Sequence, residues 1–119
     1  MEETAPASPE NTGEETEGSL YSGERLAHFI ALLLDDDELT RARAAENLGR
    51  IGDPAATEDL VSALWDDDAH VRLKAAWALG RIGDARAVAP LRRLYRMENE
   101  GGQEIIREAL EEIQYQAGS

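Results

Sequence analysis

The chain has 119 residues, 25 Asp and Glu against 12 Lys and Arg, a formal net charge of −13 at pH 7 and no Cys. This composition excludes disulfides, thiol nucleophiles and thiolate metal sites, makes nucleic acid an unlikely partner because phosphate binding needs a positive field, and contains no run of ~20 apolar residues that could span a membrane. The N-terminus lacks the basic and apolar regions of a secretory signal, so the expectation is one cytoplasmic domain, near the lower size limit for folding alone.

Residues 1–23 predict a disordered acidic tail. Met1 to Glu24 carry seven Glu, no Lys or Arg, two Pro and three Gly, too little apolar surface to offset the entropy of ordering the segment. A solvating role is the plain expectation, and docking on a basic partner or folding back on the concave surface is the alternative. The domain itself is expected over residues 24–115.

Its first helix is predicted over 24–34, with Leu26, Phe29, Ile30 and Leu33 on one face. The run starting at Asp35 then returns at Asp66 with a period of 31 residues: Ala44, Ala45, Leu48, Gly49, Arg50, Ile51, Gly52 and Asp53 recur as Ala75, Ala76, Leu79, Gly80, Arg81, Ile82, Gly83 and Asp84. A unit this short holds two helices and cannot bury its apolar face alone, so units must stack into one continuous core. Further helices are predicted over 38–50, 54–65, 69–81, 86–97 and 103–115. Asp37, Asp53, Asp68 and Asp84 stand at N-cap positions and Gly52 and Gly83 at helix ends. Gly49 and Gly80 fall inside helices, which implies close approach of a neighbouring helix. Arg41 and Arg72 recur beside the acidic triplets 35–37 and 66–68, which predicts a ladder of Arg to Asp contacts between units. The third unit departs from the pattern, with Gly101 and Gly102 where its predecessor starts a helix. Two whole units flanked by two half-units result.

The stretch from Asp66 to Leu94, an acidic turn, then V-R-x-x-A-A-x-A-L-G-x-I-G-D, then A-V-x-P-L-x-x-L, resembles the short HEAT-like repeat of the phycocyanobilin-lyase type. The resemblance covers roughly residues 26–113. It implies an all-α fold, a short right-handed α-α superhelix of about six antiparallel helices. Such repeats are found in bilin lyases, in a metal-dependent hydroxylase and in many adaptors, so they specify fold more than activity. The hydroxylase is marked by His-Glu dyads; here His28 precedes Phe29 and His70 precedes Val71. No catalytic, metal-ligating or cofactor-binding residue is expected.

In the resembling family the helix after the acidic turn lines the concave face, and its outward positions vary between units. Those positions are Glu38, Leu39, Ala42, Arg43 and Glu46 in the first unit, and Ala69, His70, Leu73, Lys74 and Trp77 in the second. Leu39, Arg43, Glu46, His70, Leu73, Lys74 and Trp77 are therefore the candidate partner-binding residues. Leu73 and Trp77, four apart, share a face, and Trp77 is the candidate anchor. The expected function is a non-enzymatic adaptor gripping a protein or peptide, as a monomer or a weak homodimer through exposed end units. The alternatives are an accessory subunit of a modifying enzyme of the bilin-lyase kind and, more remotely, a nucleic-acid-binding repeat. Eleven Arg to one Lys and the acidic triplets fit either a salt-adapted cytoplasm or a codon bias.

Overall fold

The computed structural model describes residues 18–118, so most of the acidic segment lies outside the described residues. Among those described there is no strand, and six α-helices follow one another: α1 Gly18–Leu32, α2 Glu38–Ile51, α3 Thr57–Ala63, α4 Ala69–Ile82, α5 Val88–Met97 and α6 Glu100–Gly118. Short 3-10 turns, Pro54–Ala56 and Ala85–Ala87, lead into α3 and α5. None of these helices is long and apolar enough to cross a membrane.

The stack is organised by α2, α4 and α6, which lie side by side, with α2 against α4 and α4 against α6 as the most extensive contacts. The other three helices fill the second layer, α1 packing on α2, α3 on α4 and α5 on α6. Leu48, Leu60, Leu64, Val71, Leu79, Leu91, Leu94, Ile106 and Ile113 are fully or almost fully buried between the layers. The recurring alanines and leucines, Ala44, Ala45, Leu48 and Leu60 with Ala75, Ala76, Leu79 and Leu91, are thus removed from water, while the recurring Arg50 and Arg81 stay exposed.

Each boundary has a local cause. The Asp37 and Asp68 carboxylates accept the N–H of Thr40 at 2.9 Å and of Val71 at 3.1 Å, and start α2 and α4. Asn99, one period further on, accepts the Gly102 N–H at 2.9 Å and starts α6. Gly52 and Gly83 end α2 and α4 at φ of 75° and 81°, the left-handed region that a Cβ disfavours. Gln116 of α6 reaches back with Nε2 to the carbonyls of Gly80 at 3.2 Å and Arg81 at 3.3 Å, which satisfies the open end of α4.

Two boundaries differ from the sequence expectation. Helix α1 begins at Gly18, not at residue 24, so residues 18–23 of the expected tail are helical. Helix α6 begins at Glu100 and runs through Gly101 and Gly102, which the repeat pattern suggested as a break. The Asn99 cap offsets the poor helix propensity of two glycines, and Gly102 leaves room for Glu98, whose Oε1 lies 2.9 Å from where a Cβ would stand.

The expected ladder of Arg to Asp contacts between units is present in its first rung, and the second rung uses a Glu instead. Arg41 forms a two-pronged pair with Asp66, Nε to Oδ2 at 2.8 Å and Nη2 to Oδ1 at 3.0 Å, and donates through Nη1 to the carbonyls of Asp35 and Asp36. Burial pushes the Asp66 carboxyl up, but the Arg41 hydrogen bonds win and hold it below its ordinary value. Arg72 repeats the arrangement, donating to the carbonyls of Asp66 and Asp67, with Glu98 as its carboxylate.

Asp84 makes the fold sensitive to acid. The guanidinium of Arg86, bonded at 2.7 and 3.0 Å, and the Arg86 backbone N–H at 3.0 Å hold the Asp84 carboxyl down to about 2. The buried Thr57 hydroxyl is close enough to add to this effect, although it makes no hydrogen bond of ordinary geometry. A carboxyl lowered from 3.8 contributes stability that is present above that value and is lost as pH falls towards 2. In urea titrations between pH 5 and pH 2, Asp84→Asn is expected to be less stable than the wild type at pH 5 and to lose less on acidification; parallel curves would refute this.

Candidate functional site

A face carrying variable residues arises because α2, α4 and α6 bury only part of their circumference. On α4, Val71, Ala75, Ala76, Ala78 and Leu79 turn into the core, leaving His70, Leu73, Lys74 and Trp77 on the remaining arc. These four, with Ile105 and Glu108 of α6, line a groove of about 230 Å³. Leu73, Trp77 and Ile105 are half-buried and supply its apolar surface, while Lys74 and Glu108 bring opposite charges to it.

Trp77 is half-buried, and this corrects the expectation of a side chain surplus to the packing. Its ring fills the space that a side chain on Gly49 would need, with Cζ3 2.7 Å from the position of that absent Cβ. The Arg81 guanidinium lies 5.9 Å from the ring centroid, within reach of a cation–π attraction. One part of the indole is therefore structural and the rest is open to the groove.

The α2 candidates extend the same face. Glu46 pairs with Lys74 at 3.5 Å and with Arg50 at 2.7 Å, linking α2 to α4. Leu39 is 48% exposed, and Arg43 is exposed without an ion-pair partner among the described residues. Ala42, expected to point outward with them, is 2% exposed. The variable stripe is one row narrower on α2 than the pattern suggested, because the alanine is small enough to let a neighbour close over it.

Sequence reasoning missed Ile105 and Glu108. The signal was available, since both fall in the helix expected at 103–115 and the period of 31 residues places them over Lys74 and Trp77, but the candidate residues came from the two whole units alone. It also passed over Trp65, 42% exposed, which with Leu33, Leu34, Asp35, Asp36, Arg41, Asp66 and Asp67 surrounds a second groove of about 400 Å³ beside the acidic turns. There the central Arg41 guanidinium already donates to Asp66 and to two carbonyls, so it serves the contact between units.

Comparison with known proteins agrees with this geometry. No curated protein matches the chain. The sequence profile of the family described as HEAT repeats matches residues 26–112, from the middle of α1 to near the end of α6. With its paired helices, 31-residue period and single continuous core, the chain belongs to the HEAT repeat family.

Proposed function

We propose that the chain is a non-enzymatic adaptor or scaffold that holds a peptide segment of a partner protein on the face of α2, α4 and α6. HEAT repeats commonly mediate protein–protein interaction. The observation that carries the reading is the groove between α4 and α6, where a half-open Trp77 stands with Leu73 and Ile105 between a cation and a carboxylate. Aromatic anchors in partly apolar pockets, bordered by polar groups of both signs, are what a binding hot spot requires. An accessory role of the bilin-lyase kind rests only on the resemblance over roughly residues 26–113 and is the second reading.

The ends of the stack favour a chain that works as a monomer. Asn47 occupies the position held by Ala78 and Ala109 in the later units, and Glu111 and Arg107 occupy those of Gly80 and Ala76. Bulky polar groups at positions where helices otherwise approach closely act as caps, which a helical repeat needs to stay soluble.

Trp77→Ala is expected to weaken partner binding by about 2 kcal/mol and stability by only about 1–2 kcal/mol, less than the about 3–5 kcal/mol of a fully buried aromatic. Affinity measured beside the urea midpoint, with Trp65→Ala as the comparison, tests it. Equal retention of the partner by both variants, or loss of binding only where the fold is lost, would remove Trp77 as the anchor.

A further inference from the structure

Three of the chain's arginines stand together without a carboxylate. Arg41, Arg50, Arg72, Lys74, Arg81, Arg86 and Arg107 each pair with an Asp or Glu. Among the described residues Arg25, Arg43, Arg92, Arg93 and Arg96 do not, although carboxylates outnumber cations 25 to 12. Helix α5 holds the last three and has no acidic residue. Arg92 and Arg96, with Tyr95 of α5 and Arg107 and Leu110 of α6, line a groove of about 340 Å³. No carboxylate lines it, and Arg107 is drawn away only in part, by Glu104 and by the Tyr95 hydroxyl.

The repeat explains why a groove is there and why its charge is unusual. One period earlier the lining positions are Val61, Leu64, Trp65, Ala76 and Leu79. Leu64, Ala76 and Leu79 are fully buried, covered by the unit that follows. Among the described residues no unit covers the corresponding surface after α6, and apolar residues are replaced there by Arg92, Arg96 and Arg107. Capping needs only polar groups of either sign, as Asn47 and Glu111 illustrate at other end positions. Arg92 and Arg96, neither with a carboxylate partner, add to Arg107 a positive concavity in a net-negative chain, and an anionic occupant would offset their repulsion.

We propose that the occupant is the acidic N-terminal segment of the same chain, residues 1–17. It has six Glu and no Lys or Arg, the complement of the groove. Extended at ~3.4 Å per residue it reaches ~55 Å, whereas two steps across the α2, α4 and α6 layer span ~20 Å at ordinary helix spacings of about 8–10 Å. A tethered segment competes at an effective concentration that a free acidic ligand seldom matches. This docking uses the α5 and α6 groove and leaves the face around Trp77 open, so it stands independently of the adaptor reading.

The absence of Cys allows one nitroxide label on the full chain, through Ala7→Cys. In nuclear magnetic resonance spectra of the labelled protein at low salt, the amides of residues 92–97 and 107–110 are expected to lose most of their intensity. They should regain it in molar potassium chloride, where the screening length falls to about 3 Å. Arg92→Glu with Arg96→Glu should abolish the effect, and so should Glu2→Gln with Glu3→Gln and Glu10→Gln, the carboxylates far enough from Gly18 to reach the groove, which leaves the groove itself untouched. Broadening centred on His70, Leu73 and Trp77, or none at all, would overturn the proposal. The same broadening in a mixture of labelled unenriched chains with unlabelled isotope-enriched chains would overturn it too, since the contact would then lie between copies.

Discussion

Gly80→Ala is expected to destabilise the fold by about 2 kcal/mol, against the usual sign of a glycine-to-alanine change within a helix. Alanine is the better helix former by about 1 kcal/mol. At this position, however, the new Cβ would lie 2.8 Å from Cα, 2.9 Å from Cβ and 3.3 Å from the carbonyl oxygen of Ala109. These are atoms of a packed helix and cannot rotate away, so α4 and α6 must move apart, and overpacking of that kind costs about 1–3 kcal/mol or more. The clash exceeds the gain in propensity. Gly49 repeats the situation between α2 and α4, where the absent Cβ would meet Ala78 Cα at 2.9 Å and the Trp77 ring at 2.7 Å. Gly101 is the control: its nearest neighbour would be Asn99 Oδ1 at 3.7 Å, and Gly101→Ala should be neutral or slightly stabilising. Urea unfolding of the three variants decides the matter. A Gly80→Ala protein as stable as the wild type would show that the α4 to α6 approach is looser than these distances require.

The same two glycines mark what could be read from the residues alone. Helices expected at 38–50 and 69–81 are found at Glu38–Ile51 and Ala69–Ile82, because an Asp cap, a left-handed Gly and an internal Gly fix each of them locally and the period repeats all three. Where local punctuation was absent or misleading, the reading failed. Nothing marks Gly18 as the start of α1. Gly101 and Gly102 signalled a break, but one cap hydrogen bond from Asn99 and the packing of Ile106, Ala109 and Ile113 hold the helix together. At the candidate site, His70, Leu73, Lys74 and Trp77 do share one groove. The two α6 residues that complete it lie in the helix expected at 103–115, but a comparison of the two whole units does not extend to them. How far Trp77 sinks towards Gly49 depends on the separation of two helices, a quantity that no spacing within one helix encodes.

Arg72→Ala should cost about 2–3 kcal/mol, a large effect for a charged residue near the surface. Its guanidinium joins three groups: the Glu98 carboxylate at 2.7 Å and the carbonyls of Asp66 at 2.9 Å and Asp67 at 3.1 Å. The Glu98 side chain is only 7% exposed, so removing the cation strands a carboxylate that water barely reaches and opens two acceptors at the end of the preceding unit. Breaking a fully buried pair costs about 3–5 kcal/mol; the partial exposure of Arg72 lowers the figure here. The first rung obtains its carboxylate from Asp66, whereas one period later that place is taken by Met97, and the longer side chain of Glu98 supplies the charge from the next position. The carboxylate has changed place while the Arg has not, which points to the carbonyl contacts as the invariant part of the rung. Arg72→Lys should therefore rescue little, because one ammonium cannot span a carboxylate and two carbonyls as the planar fork does. Adding Glu98→Gln to Arg72→Ala should recover the part of the loss due to the stranded charge and leave the part due to the carbonyls. Unfolding free energies of the four proteins in the Ala and Gln cycle separate the two contributions. A loss for Arg72→Ala within the about 0–1 kcal/mol of an exposed ion pair would show that the rung does not hold adjacent units together.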